Sequence, residues 1–125
     1  MLEAFEQARA IVIGPSNPVF SIGPILAVGG CSEALRATEA PVVAVSPLVR
    51  GTVLKGPTDI FMEWAGHPLS ADGICTHYEG LIDGLVSDER ASDVPTLETD
   101  VEMADADARR RVARETLDFA AALRR

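Results

Sequence analysis

Short β-branched runs recur along the chain and predict the strands of one sheet. Residues 10–13 (AIVI) and 41–46 (PVVAVS) are almost wholly apolar, which is typical of strands buried on both faces of a parallel sheet. Residues 81–87 (LIDGLVS) alternate enough to form a third strand, with Gly84 at a bulge or a close approach between elements. Residues 96–101 are predicted to form a fourth, edge-like strand.

Segments with helix-forming composition separate these strands. They predict helices over residues 2–9, 25–37, 58–65 and 70–78. The helix over residues 25–37 is interrupted near Gly29 and Gly30 and begins again with Ser32 as its N-cap. Ser70 is the N-cap of the helix over residues 70–78.

A longer helix is predicted at the C-terminus, beginning at Asp105 or Asp107 and ending near Arg124 and Arg125, which suit its dipole. Its core-facing positions are Val112, Thr116, Phe119 and Leu123. Alternation of buried strands with helices predicts an α/β fold, with a mainly parallel sheet and flanking helices, in one domain over residues 1–125.

Composition and charge exclude several classes of protein. The 125 residues are 47% hydrophobic, which argues against a disordered, collagen-like or coiled-coil chain. No apolar run approaches the roughly 18 residues of a membrane span, and no signal peptide is recognisable, so we expect a cytoplasmic protein. A net charge of −8 disfavours nucleic acid and anionic membranes as partners. This excess of acids predicts a halophilic protein, the alternative being a mildly acidic mesophilic one.

Neither the cysteines nor the histidines form a recognisable chemical motif. Cys31 and Cys75 lie far apart and outside any CxxC pattern, so we expect two buried thiols, with a disulfide left open. His67 and His77 fit no zinc motif, and His77 is interpreted as a residue at a helix C-terminus. No GxSxG or P-loop pattern is present, and the catalytic residues stay unassigned.

The loop after the first predicted strand is the first candidate binding segment. Ligands of open α/β sheets bind beyond the carboxyl ends of the strands. Glycines there permit close backbone approach, prolines fix the path, and Ser21 with the following amides could hold an anion at a helix start. The alternative is a rigid connector whose asparagine satisfies its own backbone. The candidate residues are Gly14, Pro15, Ser16, Asn17, Pro18, Ser21 and Gly23.

The loop after the second predicted strand is the other candidate. It carries Arg50 and the only lysine of the chain, Lys55, next to Gly51 and Gly56. In so acidic a chain these bases are plausible phosphate contacts, the alternative being a solvated surface pair. Further along, Asp83 is expected to be edge-facing or partnered, and Phe61 and Trp64 are expected in the core, a stacking platform being the alternative.

Three blocks in order carry a resemblance to a known family. AIVIGPSNPVFSIGPIL, PVVAVSPLVRGTVLKGP and SADGICTHYEGLIDGLVSDE resemble the C-terminal half of the 2-phospho-L-lactate transferase family, over residues 3–123. The resemblance implies a Rossmann-like fold and a role in making coenzyme F-420. Phospholactyl or phosphoenolpyruvyl would pass from a guanylylated donor to the hydroxyl of the deazaflavin Fo, with release of GMP and assistance by Mg²⁺. Residues 14–18 and 21–23 would line the cleft for GMP or GDP and Fo, with the 50–55 loop beside it.

One departure from the family pattern shapes the expected partners. The family opens with a glycine-rich strand–loop–helix of the GGTGG(A/T)K kind, which is absent from this sequence. We therefore expect a partial or split enzyme whose sheet lacks the first strands of the family fold and exposes an apolar edge. An N-terminal-half partner chain or a homo-oligomer follows from that expectation.

Two alternatives remain from the sequence. The gluconeogenesis-factor-like proteins bind nucleotide sugars without catalysis, but their corresponding loop is closer to GPGSLYTS than to GPSNP. An inactive remnant of the transferase is the other alternative. Binding of Fo or of a nucleotide sugar separates the enzyme family from the regulator.

Overall fold

The computed structural model describes residues 1–54 and 56–123, which contain a four-stranded parallel sheet and a separate two-stranded hairpin. The sheet order is β1-β2-β5-β6, and the hairpin is β3-β4. All three pairings of the sheet are parallel, so the predicted α/β fold is confirmed. The strands are β1 (Ile11–Ile13), β2 (Val42–Val45), β3 (Leu48–Val49), β4 (Thr52–Val53), β5 (Gly84–Ser87) and β6 (Thr96–Glu98).

The helices occupy nearly all the predicted segments. They are α1 (Leu2–Gln7), α2 (Gly23–Leu26), α3 (Cys31–Ala37), α4 (Thr58–Trp64), α5 (Ala71–His77) and α6 (Ala106–Ala122), with one wide π-helical turn at Pro18–Ile22. Ser70 and Asp105 cap α5 and α6 as predicted, since their side-chain oxygens accept from Gly73 N–H at 3.1 Å and Ala108 N–H at 2.8 Å. Among the described residues, no single helix meets the length and hydropathy of a membrane span.

The sheet separates two apolar cores because alternate strand residues point to opposite faces. Ile13, Val42 and Leu85 pack with α3 and α5 on one face. Val43, Val45, Val86 and the buried side of α6 form the other core. Burial of all four residues of β2 and of β5 confirms that these strands are covered on both faces.

The first strand differs from its prediction. Val12 is 43% exposed, so β1 is not buried on both faces as expected. It lies at the edge of the sheet, with β2 as its one neighbour in the described chain. The apolar run alone could not distinguish an edge from a centre.

Several local expectations are corrected. Gly30, at φ 84°, precedes α3 in place of Ser32, whose hydroxyl donates to Leu26 O at 2.9 Å. For Gly84 the predicted close approach is confirmed and the bulge is wrong, because Gly84 pairs regularly with Val43 and a Cβ there would meet the Phe119 ring at 2.7 Å. Trp64 is 79% exposed and does not lie in the core.

Two segments that the sequence assigns to loops contain regular structure. The π-helical turn lies within the Pro/Gly-rich stretch 14–24, because Asn17 caps it, and α2 begins at the end of that stretch, at Gly23. The stretch 46–57 contains the β3-β4 hairpin, whose central residues Arg50 and Gly51 have φ of 51° and 72°. Positive φ at both positions is the geometry of a type I′ turn. Such turns favour Asn, Asp or Gly at the first central position, so an arginine there does not predict one.

Candidate functional site

A cleft of about 700 Å³ opens at the carboxyl ends of β1 and β2. This is where an open parallel sheet usually binds its ligands, and the volume is that of a small-molecule site. Three segments meet there: the loop after β1, the loop after β2 with the start of α4, and the residues that lead into α6. The polar residues that line it are Ser16, Asn17, Ser21, Ser46, Thr58, Glu102 and Arg109.

The predicted site residues divide into lining and supporting positions. Pro15, Ser16, Asn17 and Ser21 line the cleft. Gly14, Pro18 and Gly23 belong to the same loop but are not part of its lining. Arg50 lies outside it, with its guanidinium 3.7 Å from Glu102, and Lys55 lies outside the described residues. Ligand contact by these residues stays a prediction.

Asn17 has both a structural role and an unused polar group. Its Oδ1 accepts from Val19 N–H at 3.0 Å and Phe20 N–H at 2.9 Å, which fixes the turn that follows. Its Nδ2 is buried and finds no acceptor among the described residues. A buried donor without an acceptor is costly, so an acceptor supplied by a ligand would remove that cost.

The amides after Ser21 do not form the expected anion site. Ser21 and Ile22 donate their N–H groups to Asn17 O at 3.0 Å, and Gly23 donates to Pro18 O. These donors are therefore used within the turn. Ser21 offers the cleft its hydroxyl rather than a helix N-terminus.

His77 of α5 supports the cleft loop from behind. Its Nε2 lies 3.1 Å from Pro18 O, and its ring packs edge-on against His67 with centroids 5.2 Å apart. Partial burial lowers the pKa of His77, and the charge of His67 adds to that shift against the opposing bond to Pro18. His77 therefore positions the loop and does not itself line the cleft.

An aromatic pair lies at the mouth of the cleft. The Phe20 and Phe61 rings stack with centroids 5.2 Å apart and planes 24° from parallel. Phe20 is 64% exposed and lines the cleft, so it presents a ring face or edge to a planar ligand.

Arg109 is the functional candidate that the sequence reasoning missed. It lies in the first turn of α6 and lines the cleft, and it takes part in none of the ion pairs found in residues 1–54 and 56–123. Arginine forms strong, forked hydrogen bonds with phosphate oxygens. The RRR run at 109–111 was a visible signal, but only the fold shows which arginine faces the cleft.

The remaining acids and thiols lie outside this arrangement. Asp83 is partnered, since its Oδ2 accepts from Val42 N–H at 2.7 Å, and it precedes β5 at the opposite end of the sheet. Cys31 and Cys75 are free and buried, as expected. Burial and the charges of Asp72 and Asp93 raise the pKa of Cys75 to about 11, which leaves the thiol inert.

The donor set of the cleft does not make an all-protein magnesium site. The described part of the chain contains no cluster of three or more His, Cys, Asp or Glu residues that could hold a metal ion. Glu102 is the one carboxylate among the described residues that line the cleft, and the Arg50 guanidinium lies 3.7 Å from it.

The parallel sheet and the cleft at its carboxyl edge define a Rossmann-like α/β domain. Comparison with known proteins narrows this class. Residues 1–119 match the family described as 2-phospho-L-lactate transferase CofD. The chain therefore belongs to the 2-phospho-L-lactate transferase family.

Curated relatives carry the same name. The Methanocaldococcus jannaschii 2-phospho-L-lactate transferase is 36% identical over 98% of this chain and 40% of its own length. The enzyme of Methanosarcina mazei is 42% identical over 72% of this chain and 29% of its own. That of Methanothermobacter thermautotrophicus is 43% identical over 75% and 30%. The chain thus spans less than half the length of these relatives.

Proposed function

We propose that this chain forms the cleft-bearing part of a transferase in coenzyme F-420 biosynthesis. It would move a phospholactyl or phosphoenolpyruvyl group from a guanylylated donor to the deazaflavin Fo. The observation that supports this most directly is the position of the GPSNP loop. The loop that carries the family resemblance lines the same cleft as Arg109, an exposed cation suited to phosphate.

The proposed chemistry is a substitution at phosphorus. The Fo hydroxyl oxygen bonds to the phosphorus that bears the lactyl or enolpyruvyl group, the bond from that phosphorus to the GMP oxygen breaks, and the hydroxyl proton is released. Such reactions depend mainly on positioning and neutralisation of charge. Arg109 would contact the diphosphate, Asn17 Nδ2 would donate to the bound donor or acceptor, and Phe20 would pack against a ring.

The proposed reaction uses Mg²⁺ that binds together with the phosphates of the substrate. Mg²⁺ is usually held by one or two carboxylates together with substrate phosphates and water, and it neutralises phosphate charge. Because Glu102 is the only carboxylate that the described part of the chain contributes to the cleft, we expect the ion to bind together with the donor, with further ligands from the rest of the enzyme.

Substitutions at Asn17 test the proposal. Asn17→Asp keeps the oxygen that caps the turn but replaces the Nδ2 donor, whereas Asn17→Ala removes both. We expect Asn17→Asp to retain the fold and to lose at least about tenfold in affinity for Fo or GDP, measured by titration calorimetry. Unchanged affinity in a folded Asn17→Asp variant would reduce Asn17 to a turn residue.

A transfer assay decides between the enzyme and its alternatives. It would supply Fo, the guanylylated phospholactate and magnesium in concentrated KCl, with this chain alone and with the missing portion of a relative added. Activity restored only by that portion would identify a split enzyme. In a separate binding measurement, nucleotide-sugar binding without Fo binding would favour the regulator. Inactivity in both transfer mixtures would favour the remnant.

A further inference from the structure

Arg50 occupies a turn position that does not suit an arginine. It is the first central residue of the two-residue turn that joins β3 to β4, and its φ is 51°. Positive φ is unfavourable for most side chains, whereas Asn, Asp and Gly tolerate it and dominate this position. The stability of the turn therefore does not explain why an arginine is present.

The contacts of Arg50 do not explain it through stability either. Its N–H donates to Asp88 Oδ2 at 2.7 Å, but this is a backbone bond that an asparagine would make equally well. Its guanidinium lies 3.7 Å from the Glu102 carboxylate, and the Arg50 side chain is 75% exposed. Exposed ion pairs contribute little to folding. What the side chain adds is a positive charge beside Glu102.

Glu102 connects this charge to the cleft. Among the described residues that line the cleft, Glu102 is the one carboxylate and Arg109 is the one cation. Without Arg50 these two charges would oppose each other, and the carboxylate would repel a bound diphosphate. When Arg50 neutralises Glu102, the positive charge of Arg109 remains for the ligand.

The other acids near Arg50 lie outside the cleft. Arg50 borders a neighbouring depression with Asp88, Glu98 and Asp100, none of which lines the cleft. Glu98 lies 3.7 Å from Arg90, so it has a cation of its own. In the part of the chain that the structure describes, Glu102 is the carboxylate with which the Arg50 side chain forms an ion pair.

We propose that Arg50 is a positioning residue that holds and neutralises the Glu102 carboxylate in the wall of the cleft, so that the cleft binds the diphosphate of a nucleotide. Arg50 acts through Glu102 and does not itself contact the ligand. The inference rests on the proposed function, which assigns a diphosphate to this cleft. It adds that the β3-β4 turn carries a residue that is unfavourable for the turn but favourable for affinity.

The affinity of Arg50→Asn for GDP tests the proposal. Titration calorimetry would use the lowest KCl concentration at which the unmodified chain is folded, and no magnesium, because Glu102 is also the carboxylate expected to meet that ion. We expect Arg50→Asn to melt at the same or a higher temperature, yet to bind GDP about three- to tenfold more weakly. Arg50→Lys keeps the charge and should lose less than about twofold. In about 1 M KCl the loss in Arg50→Asn should shrink to less than about twofold, because salt screens the charges.

A double-mutant cycle tests whether Arg50 acts through Glu102. In a Glu102→Gln background, Arg50→Asn should cost less than about twofold in affinity, since no carboxylate is left to neutralise. Glu98→Gln is the matched control background, because it removes an equal charge outside the cleft. There the full cost of Arg50→Asn should persist.

Each outcome separates this inference from the proposed function. Unchanged GDP affinity in folded Arg50→Asn, with Arg109→Gln still harmful, overturns the inference and leaves the proposed function in place. An equal cost of Arg50→Asn with and without Glu102→Gln overturns it in favour of direct contact between Arg50 and the ligand. Binding of GDP that depends on Arg50, without transfer to Fo, counts against the proposed transfer alone. Arg50→Gly, which the turn also favours, replaces Arg50→Asn if the asparagine variant does not fold.

Discussion

The His77 imidazole and the Pro18 carbonyl form a 3.1 Å hydrogen bond that ties α5 to the loop of the cleft. A carbonyl oxygen only accepts, so Nε2 carries the proton in this contact. Since burial lowers the pKa of His77, the folded chain favours the neutral ring. The position of the loop is therefore linked to the protonation of a residue outside the cleft.

Stability should fall in mild acid because of His77. The folded-state pKa of His77 lies below its ordinary value of 6.5, so between those two values the unfolded chain binds more protons. The contribution is fully present above pH 6.5 and is lost as pH falls through the lowered pKa. His77→Gln keeps a donor for Pro18 and should flatten this part of the pH profile of unfolding by urea. His67→Gln is the control and should retain most of it, since burial is the larger cause of the shift in the pKa of His77. An unchanged profile in His77→Gln would contradict the assignment.

Arg109 should matter for nucleotide binding but not for folding. Arg109→Gln removes a cation from the cleft, and loss of a charge-assisted bond to phosphate should weaken GDP binding about 10- to 100-fold. The melting temperature should change little, because the side chain is exposed. Arg110→Gln is a matched control, since Arg110 pairs with Asp107 at 3.0 Å outside the cleft. Equal effects of the two variants on calorimetric affinity would indicate a non-specific loss of charge.

Gly73→Ala should destabilise the fold by about 1–3 kcal/mol. A Cβ at Gly73 would overlap the backbone carbonyl of Pro68, which cannot move aside as a flexible side chain can. This clash outweighs the roughly 1 kcal/mol that alanine gains in helix propensity. Gly29→Ala is the control, because a Cβ there meets open space. Chemical denaturation measures both, and a Gly73→Ala variant as stable as Gly29→Ala would refute the clash.

Asp105→Ala should cost about 1 kcal/mol through loss of the α6 cap. The Asp105 carboxylate accepts from Ala108 N–H at 2.8 Å and begins the helix that carries Arg109. Asp107→Ala removes an exposed first-turn acid without removing the cap, so its effect on unfolding free energy should be smaller. The order of the two effects is the test.

Salt should stabilise the chain if the halophilic expectation holds. The net charge of −8 produces repulsion among the surface charges, and dissolved salt screens that repulsion. Most of the screening is complete near 1 M salt, where the Debye length is about 3 Å. A halophilic chain should gain melting temperature beyond about 1 M KCl, where simple screening adds little. A plateau below that concentration would favour the mesophilic alternative.

Features encoded by neighbouring residues could be predicted from the sequence. The caps at Ser70 and Asp105 depend on a side chain and an amide three residues on. The apolar run of β2 correctly predicts a buried strand, although the same kind of run at β1 does not reveal that β1 lies at the edge. The GPSNP loop could be placed at the carboxyl edge because strand direction fixes where a strand ends.

Features that depend on distant partners could not be predicted. Val12 has the same composition context as a buried strand residue, and only the order of the strands leaves it exposed. Arg109 reaches the cleft because α6 packs across the sheet, which no local pattern states. Arg50 adopts a positive φ, and its backbone N–H donates to the side chain of Asp88, 38 positions away.

The strand order of the sheet follows the order of the chain. Each new strand adds beside the preceding one, so no segment must be threaded between strands already paired. The four strands can therefore pair one after another in chain order, so the sheet requires no contact between its first and last strands before those between them are in place.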